Sequence, residues 1–323
     1  MSASRMSART PAERPPHAPE VGRSARFLGR FHVTGVFWYR LHGVGVKFVP
    51  EWAMGILVHL FTTFFWVALR KIRAAVASNL EPVLGPCGWW ERQVRIYRTL
   101  CEFAWCLSER YERLTVGRTP QVAGEGEERW RAVLASGTPF LLVTGHLGAW
   151  EVGSMVPAAE DRRRIHLVRE AEPDPEADRF IRELVEKSAP GGLHVTHFMA
   201  AGEPRFGTVL LDALRAGDIV ALQGDRPRAS GRTLEAPLFG RPFPFPLGPP
   251  ALARAAGVPM VPVFVFREGR LRYRVRVLPP IEVPQTADRE ADLRGALGRF
   301  AAELEAAIRT RPHQWFCFRK VWK

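Results

Sequence analysis

Apolar and polar positions divide the chain into three stretches of different character. Up to about residue 35 there is no apolar period. Arg, Pro, Ser and Ala dominate, a composition too poor in large apolar side chains to pack, so residues 1–35 read as a basic disordered tail. No apolar stretch follows the first residues, which argues against a cleavable signal peptide. Between Trp52 and Leu69 the pattern inverts, and no residue is charged if His59 is neutral. As a helix rising about 1.5 Å per residue this run spans about 27 Å, near the roughly 30 Å of a bilayer's hydrocarbon core. Trp52 and Trp66 stand near its ends as interfacial anchors would, and Arg70, Lys71 and Arg73 follow. The run predicts a membrane helix, spanning or embedded, with a buried helix of a soluble domain as the competing reading. Residues 74–84 and 91–113 read as amphipathic helices, separated by Pro82, Gly85, Pro86 and Gly88. Arg92, Arg95 and Arg98 mix there with Trp89, Trp90, Tyr97, Phe103 and Trp105. That mixture suits a membrane-surface layer or a helix pair packed on the next domain. Residues 36–115 thus form an N-terminal membrane-associated helical region.

From about Val116 the period alternates between strand and helix. Strands are predicted over residues 140–144, 165–169, 193–196, 219–223, 260–266 and 272–278. Helices are predicted over 126–135, 147–156, 175–188, 204–216, 249–256 and 288–309. Such alternation predicts an α/β fold with a mostly parallel sheet flanked by helices, one domain over residues 116–323.

Composition narrows the partners. The formal net charge of +13 points to an anionic one: a membrane surface, a phosphorylated or acidic substrate, or nucleic acid. The basic residues are scattered and no nucleic-acid recognition motif appears, so nucleic acid is not expected. Cys87, Cys101, Cys106 and Cys317 form no CxxC and no metal-ligand spacing with histidine, as in a reducing compartment without a disulfide frame. His194 and His197 flank a strand end without a third ligand, which fits packing or surface roles better than metal.

The candidate chemistry lies at Thr144-Gly145-His146-Leu147-Gly148-Ala149-Trp150-Glu151. The predicted strand ends there and a helix is expected from Leu147, so His146 falls at a strand-to-helix turn on the carboxyl edge of the sheet, where α/β folds bind ligands. Histidine can serve as a general base near neutral pH, and a carboxylate one helical turn later can hold its ring. The bland alternative is a turn histidine followed by a solvated acid at a helix N-terminus. Arg169, and then Asp225 with Arg226, also close apolar strands. The Pro-rich run 237–249, with Gly240 and Arg241, can wall a hydrophobic groove. Surface ion pairs and simple connection are the other readings of these segments. Together they bring His, acid and Arg to one sheet edge, as a site requires.

On these blocks the chain resembles the lysophospholipid acyltransferase superfamily, and within it the bacterial lipid A late acyltransferases, a branch that includes phosphatidylinositol mannoside acyltransferases. The resemblance runs from Phe37-Trp38-Tyr39-Arg40-Leu41 through Arg73 to Asn79-Leu80, then Gly145 to Glu151 and Gln223-Gly224-Asp225-Arg226-Pro227. It continues with Phe239-Gly240-Arg241-Pro242, Gly257 to Phe264, and Pro312-His313-Gln314-Trp315. It implies a His-x4-acid pair in which His146 deprotonates an acceptor hydroxyl and Glu151 orients it. Arg169 would aid the oxyanion or hold a phosphate. Asp225 would be a supporting acid, and Arg226, Gly240 and Arg241 would contact substrate. It further implies a fatty acyl thioester of acyl carrier protein or coenzyme A as co-substrate, and a hydroxyl or amine of a glycolipid or phospholipid as acceptor. No metal or other cofactor is implied. The expected place is the bacterial inner membrane, with the catalytic domain on its cytoplasmic side. A thioester hydrolase, with water as acceptor, and a non-enzymatic basic membrane-binding protein are the rival readings.

Overall fold

The computed structural model describes residues 41, 43–45, 47–153, 162–171, 174–188, 193–199, 206–227 and 231–322. The basic tail therefore lies outside the described residues. The elements, in chain order, are α1 (Glu51–Ala68), α2 (Arg70–Leu84), α3 (Trp89–Tyr111), β1 (Gln121–Glu125), α4 (Glu127–Ala135), β2 (Leu141–Thr144), α5 (Trp150–Gly153), β3 (Ile165–Glu170), α6 (Pro175–Ser188), β4 (His194–Met199), α7 (Phe206–Arg215), β5 (Ile219–Gln223), β6 (Thr233–Leu238), β7 (Arg241–Pro246), α8 (Gly248–Ala256), β8 (Met260–Gly269), β9 (Arg272–Val277) and α9 (Arg289–Thr310).

Seven strands form one sheet in the order β1-β9-β8-β2-β5-β3-β4. All its pairings are parallel except that of β8 with β9. The fold is thus the mostly parallel α/β sheet flanked by helices that the periodicity predicts. The strand β2, Leu-Leu-Val-Thr, is buried at every position, which is why it reads as a continuous apolar run rather than an alternating one. On one face Phe300, Leu304 and Ile308 of α9 pack with Leu141, Val143 and Phe264. On the other, Trp130 of α4 and Val152 of α5 pack with Leu142, Val261 and Val275.

Two elements depart from expectation. The edge strand β1 is exposed at all five positions and has no apolar alternation to betray it. The Pro-rich run is not a simple loop: β6 and β7 form an antiparallel hairpin closed by Phe239 and Gly240 at φ 53° and 71°, a turn with both central residues left-handed. Pro242, Pro244 and Pro246 lie opposite Pro237, Glu235 and Thr233. These are the positions where no ladder N–H is needed, so proline is tolerated. Phe243 and Phe245 alternate with them and are buried.

The N-terminal helices are locked to the sheet by buried polar contacts. Glu109 of α3 accepts from Arg267 Nε at 2.7 Å and from the Tyr273 hydroxyl at 2.5 Å. Glu112, just beyond α3, pairs with Arg270. Asn79 of α2 is buried. It donates to the carbonyls of Cys317 and Arg319 at 2.9 and 2.8 Å and accepts from the Val321 amide at 3.2 Å. Replacing Asn79 by Ala removes the partner of three backbone groups, one of them buried and two part-buried. At about 1–3 kcal/mol for an unmet buried group, Asn79→Ala is expected to lower unfolding free energy by about 2–4 kcal/mol in denaturant titrations. An unchanged midpoint would show that this lock contributes nothing.

Candidate active site

Adjacent strands build the site. In the parallel pair of β2 and β5, Thr144 stands opposite Gln223. Two residues further along each strand are His146 and Asp225, so the register carries the two side chains off the carboxyl edge side by side. Gly145 and Gly224 make the step possible. A Cβ on Gly224 would lie 2.7 Å from the Phe300 ring, and one on Gly145 would lie 2.9 Å from Leu304. After His146 the chain does not enter a helix at Leu147, as the pattern predicts. Leu147 bridges to Trp315, and Gly148 turns at φ +54° with its backbone against the Val265 carbonyl. Helix begins only at Trp150. Residues 154–156, the remainder of the expected helix, lie outside the described part.

Asp225 has no exposed surface, and three N–H groups lie within reach of its carboxylate. Oδ2 accepts from the His146 amide at 3.0 Å and from the Trp315 indole at 3.3 Å, while Oδ1 lies 2.7 Å from His146 Nδ1. Burial alone would favour the neutral acid. The His146 ring, its hydrogen bond and Arg226 outweigh that cost and hold the carboxyl well below the usual range. An ionised carboxylate only accepts, so Nδ1 carries the proton and donates it, leaving the Nε2 lone pair available. For His146, burial is the largest influence and pulls the imidazole below its ordinary range, against the attraction of Asp225. Arg226 and Arg319 add to that lowering. The result is a neutral imidazole, oriented by an ionised aspartate, with 16% of its side chain still exposed.

The C-terminal segment closes the site. The Phe316 amide donates to the His146 carbonyl at 2.9 Å, and the Gly148 amide to the Gln314 carbonyl at 2.9 Å. Gln314 is clamped to β8, giving Nε2 to the Arg267 carbonyl at 2.8 Å and taking its amide at 2.9 Å. The Trp150 ring lies 5.2 Å from the His146 ring and 6.1 Å from that of Phe316. Arg226 donates to the Phe316 carbonyl and Arg319 to that of Pro227.

The expected site residues are therefore only partly assembled. His146, Asp225 and Arg226 meet. Asp225 makes the orienting bond that the resemblance assigns to Glu151, whose backbone sits in α5 and whose side chain lies outside the described part. Arg169 is at the carboxyl end of β3, beyond β5 from β2. Gly240 and Arg241 are exposed at the hairpin turn. That hairpin turns its phenylalanines inward onto Trp315 and Trp322, so they fill core rather than line a groove. Trp315 was legible only as part of a motif; its signal is a single indole N–H that needs a partner once buried. His197 bonds to His166 Nδ1 at 2.8 Å, and His166 Nε2 lies 3.1 Å from Asp218, so its ring belongs to a hydrogen-bonded chain. Among the described residues no group of three or more His, Cys, Asp or Glu is placed to hold a metal ion.

The chain matches the bacterial lipid A biosynthesis acyltransferase family over residues 25–323. It is also similar to the phosphatidylinositol mannoside acyltransferases of two Mycobacterium tuberculosis strains, CDC 1551 / Oshkosh and H37Rv, with 27% identity over 200 residues in each case. Those alignments cover 61% of this chain and 58% of each relative.

The lowered pKa has a measurable consequence. In an NMR titration the His146 ring is expected to take up its proton with a midpoint below the unperturbed value of about 6.5. Between the two values the unfolded chain binds more protons. The part of stability due to His146 is then present above about pH 6.5 and lost as pH falls below it. A midpoint at or above 6.5 contradicts the desolvated, neutral base.

Proposed function

The chain belongs to the bacterial lipid A biosynthesis acyltransferase family, and on that premise we propose that it transfers a fatty acyl chain from an acyl thioester to a hydroxyl of a glycolipid or phospholipid. The observation that carries the reading is the His146–Asp225 pair: a neutral base with its Nδ1 proton committed and Nε2 left to take another. Nε2 accepts the proton of the acceptor hydroxyl as its oxygen bonds to the acyl carbonyl carbon. The carbon–sulfur bond then breaks, and the imidazolium returns the proton to the departing thiolate. Asp225 stabilises the imidazolium between these steps. Thioesters are activated acyl donors, so the pair suffices for proton movement. Arg169 is assigned the developing oxyanion or a substrate phosphate, where a planar two-point donor is better than an ammonium.

The donor is an acyl carrier protein or coenzyme A thioester, and the acceptor carries anionic groups suited to Arg226 and Arg319. Residues 36–115 form the membrane-facing layer and residues 116–323 the catalytic domain. The support for the first is α1, which is long and apolar enough to cross a membrane and only 17% buried. The place is the cytoplasmic side of a bacterial inner membrane.

His146→Ala is expected to leave a folded, inactive protein in an assay of acyl thioester with glycolipid acceptor, and Asp225→Asn to lower turnover by about 10²–10⁴-fold. Arg169→Lys is expected to keep the fold and lose rate. A folded His146→Ala with normal transfer would end this mechanism, and acid release that no lipid enhances would favour hydrolysis instead.

A further inference from the structure

We propose that α1 lies in the plane of an anionic lipid surface, with one face immersed, and does not cross the bilayer. The inference rests on the membrane reading above and adds the orientation.

The outer face of α1 is made of Trp52, Ile56, Leu60, Phe64 and Val67, all between 55% and 76% exposed. At about 100° per residue they share one side of the helix. The inner face is covered. Met54 and Val58 pack with Cys101, Ala104 and Trp105 of α3, and Trp66 packs with the cluster of Val76, Leu80, Ile96 and Leu100. At the border between the two faces His59 Nδ1 lies 3.1 Å from the Tyr97 hydroxyl, and Thr63 lies 3.4 Å from the same atom. The two helices run antiparallel, since Gly55 faces Trp105 while His59 faces Tyr97. Contact from Met54 to Trp66 covers about 18 Å of helix at about 1.5 Å per residue.

That contact decides the orientation. The middle of a spanning α1 would lie at hydrocarbon depth and would hold the middle of α3 there with it. Yet α3 carries Glu91, Arg92, Arg95, Arg98, Glu102, Glu109 and Arg110 along its whole length, with Arg92 and Arg98 exposed. Glu102 and Glu109 are further tied to Arg267 of the sheet, so a spanning α1 would pull the catalytic domain into the bilayer. Laid in the plane, α1 immerses only its outer face, and α3 supplies the polar back that α1 itself lacks. Both ends then sit at headgroup level. Lys47 and Trp52 mark one end, and Arg70, Lys71 and the exposed Trp89 and Trp90 mark the other. A spanning helix has no need for the same side of the membrane to meet both clusters. Cations at both ends match anionic headgroups.

The full chain is tested in two ways. In sealed membrane vesicles from producing cells, a protease site placed ahead of Pro50 and an epitope at the carboxyl terminus are expected to be reached from the same side. Reach from opposite sides would overturn the in-plane placement while leaving the membrane reading intact. Purified protein is expected to float with vesicles of phosphatidylglycerol and phosphatidylcholine, and more weakly with phosphatidylcholine alone. The triple variant Ile56→Glu, Leu60→Glu, Phe64→Glu is expected to lose about tenfold or more of that binding with a nearly unchanged melting curve, because each of those side chains is more than half exposed. A parent chain that never floats would sink the membrane reading and this orientation together. Full binding by the triple variant would remove α1 from the contact.

Discussion

A carboxylate with no exposed surface is the constraint around which this molecule is arranged. An ionised group cannot stay in a protein interior unless donors surround it. Asp225 has three N–H donors in range, from the His146 ring and backbone and from Trp315. Each donor reaches it because of something larger. The ring and amide of His146 arrive through the parallel register of β2 and β5, and the indole arrives through the bridge of Trp315 to Leu147. The same arrangement gives the histidine its chemistry. With Nδ1 occupied and the site largely dry, the imidazole stays neutral and presents one lone pair outward. Structural need and proton-transfer capacity are satisfied by the same three bonds.

The polar contacts that dock the N-terminal helices follow the same rule at a second place. Burial pushes the Glu109 carboxyl up, against the pull of Arg267 and Tyr273. Such a pair adds little net stability over well-packed apolar groups, yet breaking it is costly because one charge is left alone. Its effect is to make one docking of α3 on β8 and β9 much better than any slid alternative. A surface of Trp and Leu alone would not discriminate so sharply.

The continuous apolar runs and the long periodic helices were legible in the sequence: the buried β2, the strand β5 with its predicted bounds, and the helices α6 and α9. What escaped was built either from interactions distant in sequence or from a local pattern that proline obscures. The edge strand β1 has a polar, exposed composition and exists because β9 offers it a ladder. The β6–β7 hairpin was masked by prolines, whose spacing of two is compatible with a ribbon only because they fall on positions that donate nothing. His146 and Asp225 were both recognised as site residues. Their pairing was not, because sequence spacing favours Glu151, five positions away, over an acid 79 positions away that strand register makes a neighbour. Trp315 and Phe316 escaped as site residues for the same reason: their partners, Asp225 and His146, lie far from them in sequence.

The C-terminal segment joins these two polar centres. Trp315 and Phe316 contact Asp225 and His146, Gln314 reaches Glu102 of α3 at 3.3 Å, and Asn79 of α2 holds the backbone from Cys317 to Val321. One short run of chain is therefore shared by the His146–Asp225 pair and by the helices that carry the exposed apolar face. Two arrangements of that run cannot both satisfy Asp225 and Asn79, since each needs backbone or side-chain groups only a few residues apart. A rigid tie of this kind fixes the distance from the apolar face of α1 to Nε2 of His146. Under the proposed function, with a lipid acceptor held at a surface and His146 as base, such a fixed height matters, because a base displaced by about 1 Å already loses much of its rate.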